Sequence, residues 1–249
     1  MPPRIRQILI IFASAAAGAG LAGCASTQTP QNLSASAVAP TPRSDPAGPA
    51  GRVDAVAVQG GNLYGEMKDA GFIVPAVRPG LVDAAFHRAN VAYSTRETPG
   101  TIVVDPAGHY LYYVEAGGRA TRYGIGVGRD GFAWSGEATI KSKQEWPDWY
   151  PPKEMIERRP DLKRQLVGLQ SGLGMHGGPG NPLGARAMYL WQGDRDTLFR
   201  IHGTNEPWTI GKSQSSGCIR MINQDAMDLY QKTAAGTRVV VLPAKVARR

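Results

Sequence analysis

From Thr101 onward the chain is a series of short β-branched and aromatic runs cut by glycine, a pattern that favours a β-domain. The runs are "TIVVD", "HYLYYVE", "RATRYGIGVG", "ATIKSK", "RAMYLWQG", "LFRIHG" and "TRVVVLP". Each is short, apolar on alternate residues or throughout, and bounded by turn formers, which is the signature of strands. Gly117-Gly118 joins two of them and reads as a hairpin turn. Helical spacing is confined to two places. "KEMIERR" lies within the Trp146–Pro160 stretch, a long insertion of the kind that covers or borders a site. The second follows Asn223, with Ala226, Leu229 and Tyr230 on one face; Asn223 is expected to cap it and Gly236 to end it. The expectation is a mostly-β fold with a few short helices.

The N-terminal part has another character. Arg4 and Arg6 precede an apolar stretch over Ile8–Phe12 and a small-residue run ending in "LAGC". Residues 1–23 therefore read as a secretory signal, too short for a comfortable membrane span. Small residues before Cys24 resemble a bacterial lipobox, which implies cleavage there and a lipidated Cys24. Ala25 rather than aspartate follows, which by analogy with lipoprotein sorting favours the outer over the inner membrane. Residues 24–55 are Ala, Ser, Thr, Pro, Gln and Gly with almost no large apolar groups, and so read as a flexible tether. Residues 56–96 read as a lead-in packing on the domain, extended at first, with a short helix near Leu81–Ala89. The domain itself is expected over 97–242, with a loose basic tail at 243–249.

The formal charge is +8. A basic surface often meets nucleic acid. An exported chain points instead to anionic envelope polymers, and no nucleic-acid partner is expected.

The chain has two cysteines and four histidines. Acylation of Cys24 removes it as a disulfide partner, which makes Cys218 a reactive-thiol candidate in an oxidising compartment. An ordinary thiol titrates near pH ~8.5 and is mostly protonated at neutrality. A histidine within hydrogen-bond reach activates it. His202 ends a predicted strand, and Cys218 sits in a small-residue turn just before the predicted helix. Ser216 and Gly217 add little bulk, so backbone N–H groups can face a developing oxyanion. Cysteine, base and amide donors suffice for acyl transfer. The set offers no second cysteine and no paired histidines for zinc, and no metal or other cofactor is expected. The alternative for Cys218 is a buried, inert thiol.

The surrounding residues narrow this. "IHGTNEPWTIGKSQSSGCIRM" resembles the signature of L,D-transpeptidases with a YkuD-type catalytic domain. His202-Gly203 matches its His-Gly pair, and Ser215-Ser216-Gly217-Cys218-Ile219-Arg220 matches its cysteine turn. "GGPGNPLGARAMYL", "GIGVGRDGFAWSGEATI" and "EWPDWYPPKEMI" extend the resemblance across residues 97–242. It implies a YkuD-like fold, β-sandwich or barrel-like. It also implies attack by Cys218 on the diaminopimelate carbonyl of a peptidoglycan tetrapeptide stem, with loss of D-Ala and a thioester. His202 would relay protons, with its other nitrogen held by Gly203. Gly217 and Cys218 N–H groups would hold the oxyanion. From an ordinary imidazole pKa of about 6.5, an ion-paired Cys218–His202 couple is expected to titrate as a pair and give a bell-shaped or plateau rate profile around neutrality. Arg220, Ser215 and Ser216 would contact substrate; for Arg220 a structural ion pair is an equal alternative.

His176 and Asn181 are weaker substrate-contact candidates; Asn181 and Gly184 otherwise only shape a turn. Trp134, Trp146 and Trp149 either line the cleft or anchor loops, and His109 sits in a solvated turn. Where the family has a second histidine, this chain has Ser216, which puts that residue's contribution in doubt. The acceptor amine belongs to a second stem, an envelope protein or a free D-amino acid. Carbapenems are expected to acylate Cys218. Two alternatives stay open: hydrolysis of the same thioester, and a silent peptidoglycan-binding lipoprotein.

Overall fold

The computed structural model describes residues 62–128, 134–215 and 217–243. The expected signal segment with Cys24, the expected tether, Ser216 and the tail from residue 244 lie outside the described residues.

The strands are β1 (Met67–Asp69), β2 (Phe72–Val74), β3 (Ala89–Ala92), β4 (Ile102–Asp105), β5 (Tyr110–Glu115), β6 (Arg119–Gly128) and β7 (Gly136–Glu145). Helix α1 (Lys153–Arg158) follows, then β8 (Val167–Leu169), β9 (Gly172–Gly174), β10 (Arg186–Gln192) and β11 (Arg195–His202). The chain ends with β12 (Ser213–Ser215), β13 (Ile219–Met221), α2 (Asn223–Lys232) and β14 (Arg238–Val241). The main sheet runs β6-β13-β11-β10-β7-β14-β4-β5 and returns to β6, so it closes on itself. The mostly-β fold with few helices is what the strand pattern implied, and barrel-like closure is one of the two forms the family resemblance implied. Closure pairs the two end strands that an open ring would otherwise leave exposed.

Alternate residues of the ring point inward. Ile102, Leu111, Tyr123, Ile125, Met188, Leu190, Ile201, Ile219 and Met221 meet in one fully buried core. Truncating any of the aliphatic ones to alanine would cost about 2–5 kcal/mol. The glycines of "YGIGVG" have a different task, because β6 is covered on its outer face too. A Cβ at Gly124 would stand 2.3 Å from the Phe86 carbonyl oxygen, and one at Gly126 would stand 2.7 Å from that of Thr209. Bare backbone lets both covering turns lie directly on the sheet.

The lead-in differs from its sequence reading. Only a single 3-10 turn, Ala84–Phe86, forms where a short helix was expected, with Asp83 accepting the Ala85 N–H at 2.9 Å. The chain then extends into β3, which pairs with β6. Ala89, Val91 and Tyr93 are buried at a spacing of two, which is strand periodicity. The segment therefore contributes a strand to the main sheet as well as packing on it.

Side chains tie the same segment down. Asp69 accepts from Arg186 at 2.7 and 2.9 Å and from Trp146 Nε1 at 2.7 Å. Arg88 meets Asp228 at 2.6 Å and Asp225 at 3.6 Å, and Tyr64 donates to Asp225 at 3.1 Å. Asp225 is wholly buried, and that burial raises its carboxyl to about 7 against the pull of Arg88 and Tyr64. Trp146 is a core anchor here, 8% exposed and packed on Phe72, and not a wall of the cleft.

Candidate active site

β11 and β13 lie side by side and parallel, with Ile201 opposite Ile219 and His202 opposite Arg220. Both isoleucines are fully buried in the core. Strand alternation then puts Arg200, His202 and Arg220 on the other face, and Cys218 immediately precedes β13. Parallel neighbours need a return connection of about a dozen residues or more. Residues 203–217 are that connection, which accounts for the spacing of His202 and Cys218. The short strand β13 separates Cys218 from α2, so the cysteine enters a strand and not, as read from the sequence, the helix.

His202 is 4% exposed, and its Nδ1 lies 2.6 Å from the Gly203 carbonyl oxygen. A carbonyl only accepts, so Nδ1 carries the proton and the neutral ring presents a lone pair at Nε2. Burial lowers the His202 pKa to about 4; the Gly203 bond opposes this, and the charges of Arg220 and Arg200 add to it. Cys218 is half-buried. Burial pushes its thiol up, while a backbone hydrogen bond from Arg200 and the guanidinium groups of Arg200 and Arg220 pull it down without reversing the direction. Both shifts favour the uncharged forms, a thiol and an imidazole. That direction runs against the ion-paired couple of the sequence reading, because desolvation disfavours both charged forms.

Gly217 has φ 124°, a conformation that side chains rarely adopt, and a Cβ there would stand 3.3 Å from the Phe199 ring. The turn before the cysteine is thus built for glycine. Phe199 stacks on Trp134 at 5.6 Å, and with Gln192, Arg195 and Thr197 they line a cavity of about 220 Å³. Trp134 is the tryptophan of the three candidates on that cavity wall; Trp149 instead bridges to Met175.

Two charged residues went unnoticed in the sequence. Glu206 accepts from Arg220 Nη1 at 2.9 Å, so Arg220 stands in an ion pair beside His202. Arg200 is held by Asp196 through two bonds of 2.8 Å and lies over the Tyr189 ring. The signal for Arg200 was present in its position two residues before His202 on one strand face.

The weaker candidates separate. His176 is largely exposed, 3.6 Å from Asp148. His109 sits in a turn with Nε2 3.0 Å from Ser213 Oγ. Asn181 is 1% exposed; it donates to the carbonyls of Pro147, Met175 and His176 and accepts the Leu183 N–H. These bonds engage its amide in shaping the loop. Asn223 does not cap α2: Ile222 is the capping position, and the Asn223 side chain turns to neighbouring loops. Among the described residues, no group of three His, Cys, Asp or Glu side chains is placed to hold a metal ion.

The family model of the YkuD L,D-transpeptidase catalytic domain matches residues 99–241, more than half of the chain. The chain belongs to this L,D-transpeptidase family. It is 34% identical over 152 residues to the probable L,D-transpeptidase ErfK/SrfK of Escherichia coli K12, covering 58% of this chain and 44% of that protein. It is 32% identical over 143 residues to the probable L,D-transpeptidase YbiS of the same organism, covering 55% and 43%. The chain thus spans less than half the length of these relatives. A crystal structure described as a probable carnitine operon oxidoreductase from Brucella melitensis shares 54% identity over 65% of this chain and 96% of that one, with TM-score 0.43. Within this L,D-transpeptidase domain, both His202 and Cys218 fall in the matched span.

Proposed function

We propose that this chain is a cysteine-dependent L,D-transpeptidase acting on peptidoglycan stems. The observation that carries the reading is the 2.6 Å contact of His202 Nδ1 with the Gly203 carbonyl, which leaves Nε2 as acceptor on the strand beside Cys218. Cys218 Sγ attacks the diaminopimelate carbonyl of a tetrapeptide while its proton passes to His202 Nε2. The C–S bond forms, and the carbonyl oxygen becomes an oxyanion held by N–H groups of the Gly217 turn. Collapse breaks the C–N bond to D-Ala, which leaves as an amine after taking the proton from His202. An incoming amine then attacks the thioester and gives its proton to His202, and the thiolate leaves and is reprotonated. Lipidation at Cys24 and the tether would hold the domain at a membrane facing the periplasm, with the outer membrane favoured. Carbapenems, as strained acyl donors, would acylate Cys218.

Full-length protein incubated with disaccharide-tetrapeptide tests this, with products read by mass. A dimer lacking one D-Ala supports the proposal and shows that Ser216 suffices in the turn. Tripeptide alone means that water took the acyl group. Unchanged tetrapeptide overturns both enzymatic readings.

The pH profile makes a further prediction. The base is lost only when His202 takes a proton, so the rate should hold as pH falls past the ordinary imidazole range and drop near the lowered value of about 4. Initial rates across the acid range, with circular dichroism to verify the fold, check this; an inflection near pH ~6.5 would contradict it.

A further inference from the structure

We propose that Asn223 is the positioning residue that fixes the tautomer of His202, acting through the peptide between Gly203 and Thr204. The inference rests on the reading of His202 as the base.

A trans peptide is planar, with its C=O and N–H pointing in opposite directions. In the Gly203–Thr204 peptide, the carbonyl is the group that accepts from His202 Nδ1. The N–H of the same plane donates to Asn223 Oδ1 at 3.1 Å. Gripping the N–H therefore aims the carbonyl at the imidazole. Asn223 Nδ2 also donates to the Thr204 carbonyl at 3.0 Å, so both polar groups of Thr204 are held by one side chain. A second N–H, from Ala185, reaches Asn223 Oδ1 at 3.0 Å and fixes the amide's orientation. On the other side, the Gly203 N–H donates to the Arg186 carbonyl at 2.9 Å. Rotation of this peptide would break the Thr204 N–H bond to Asn223 together with the His202 contact on the Gly203 carbonyl, while the flanking bonds hold the neighbouring peptides in place.

The glycines around Asn223 have the same explanation. A Cβ at Gly203 would stand 2.1 Å from Asn223 Oδ1, and one at Gly184 would stand 2.2 Å from it. Both positions leave room for the amide to reach the backbone. Asn223 is 8% exposed and begins α2, whose Ala226 and Leu229 pack in the core, so its base is rigid. In many histidine-dependent sites a carboxylate orients the ring directly. Here a carbonyl touches the ring and an asparagine, 21 positions on in sequence (202 to 223), aims the carbonyl.

The test compares full-length wild type with Asn223→Ala and Asn223→Asp. The readouts are the imidazole ¹⁵N shifts of His202, which distinguish the tautomers, and kcat and KM on the tetrapeptide. The wild type should show Nδ1–H. In Asn223→Ala the tautomers should mix and kcat should fall about 10–100-fold with KM nearly unchanged, the usual loss on removing a supporting partner. Asn223→Asp keeps an oxygen for both N–H donors and should retain the Nδ1–H signature and recover most of kcat. A folded alanine variant that keeps the Nδ1–H signature and near-wild-type kcat overturns the proposal. Should the alanine variant fail to fold, a folded aspartate variant that has lost the signature overturns it equally. If the wild type has the Nδ1–H ring and Asn223→Ala loses it while no tetrapeptide is consumed, the positioning role stands and the proposed reaction fails.

Discussion

Replacing Cys218 by alanine is expected to reduce dimer formation by at least about 10⁴-fold, the scale seen when a covalent nucleophile is removed from a site that otherwise keeps its binding groups. The fold should survive. Cys218 lies outside the strands, is half-buried, and loses only its sulfur in the change. Any residual rate would come from binding and from the backbone donors of the turn, which the substitution leaves in place. Replacing His202 should cost less, about 10²–10⁴-fold, because a base accelerates a thiol that already has some nucleophilicity. The order of these two losses is a prediction in itself. Steady-state rates of the two variants with the same tetrapeptide, beside thermal melts, measure it.

The second large effect concerns stability and lies away from the chemistry. Asp69→Ala is expected to lower the melting temperature of the full chain by roughly 10 °C. Arg186 is 5% exposed at its side chain and is paired with Asp69 through two hydrogen bonds. Its Nε has no hydrogen-bond partner among the described residues. Taking Asp69 away leaves a buried guanidinium whose remaining carboxylate, Glu145, is 3.9 Å away and half exposed. Breaking such a pair costs about 3–5 kcal/mol, and the half-exposed Glu145 places this case at the low end. At about 2–4 °C per kcal/mol for a body of this size, that is the stated shift. Trp146 Nε1 loses its acceptor in the same variant. Asp69→Asn keeps an acceptor for the indole but not the charge, and its melt should fall between the two. Differential scanning calorimetry decides it, and an alanine variant that melts with the wild type would show that the lead-in is not held by this pair.

The parts of this fold that follow alternation were readable in the chain. The runs from Ile102 to Val241 became strands because their residues alternate between the ring's interior and its surface. β3 is not legible in the sequence because Ala89, Val91 and Tyr93 follow two prolines and a mixed stretch, and three residues are too few to separate the two periods. The site was legible where its chemistry resides in residue type: a cysteine, a histidine and glycines at a spacing that a parallel return explains. It was not legible where the chemistry resides in geometry. That burial shifts Cys218 and His202 toward their uncharged forms depends on how deep the loop sits. Asn181 and Asn223 have the same residue type, and only their backbone partners show that one ties a loop and the other reaches the peptide beside His202. Glu206 became visible only once the loop carried it back to Arg220.

The most direct measurement is the mass of the protein itself. Full-length wild type mixed with tetrapeptide and quenched in acid should carry an adduct equal to the tetrapeptide stem less D-Ala. Proteolysis should place it on the peptide containing Cys218, with no adduct on Cys218→Ala. An adduct on another residue, or consumption of tetrapeptide by the alanine variant at the wild-type rate, would contradict the account.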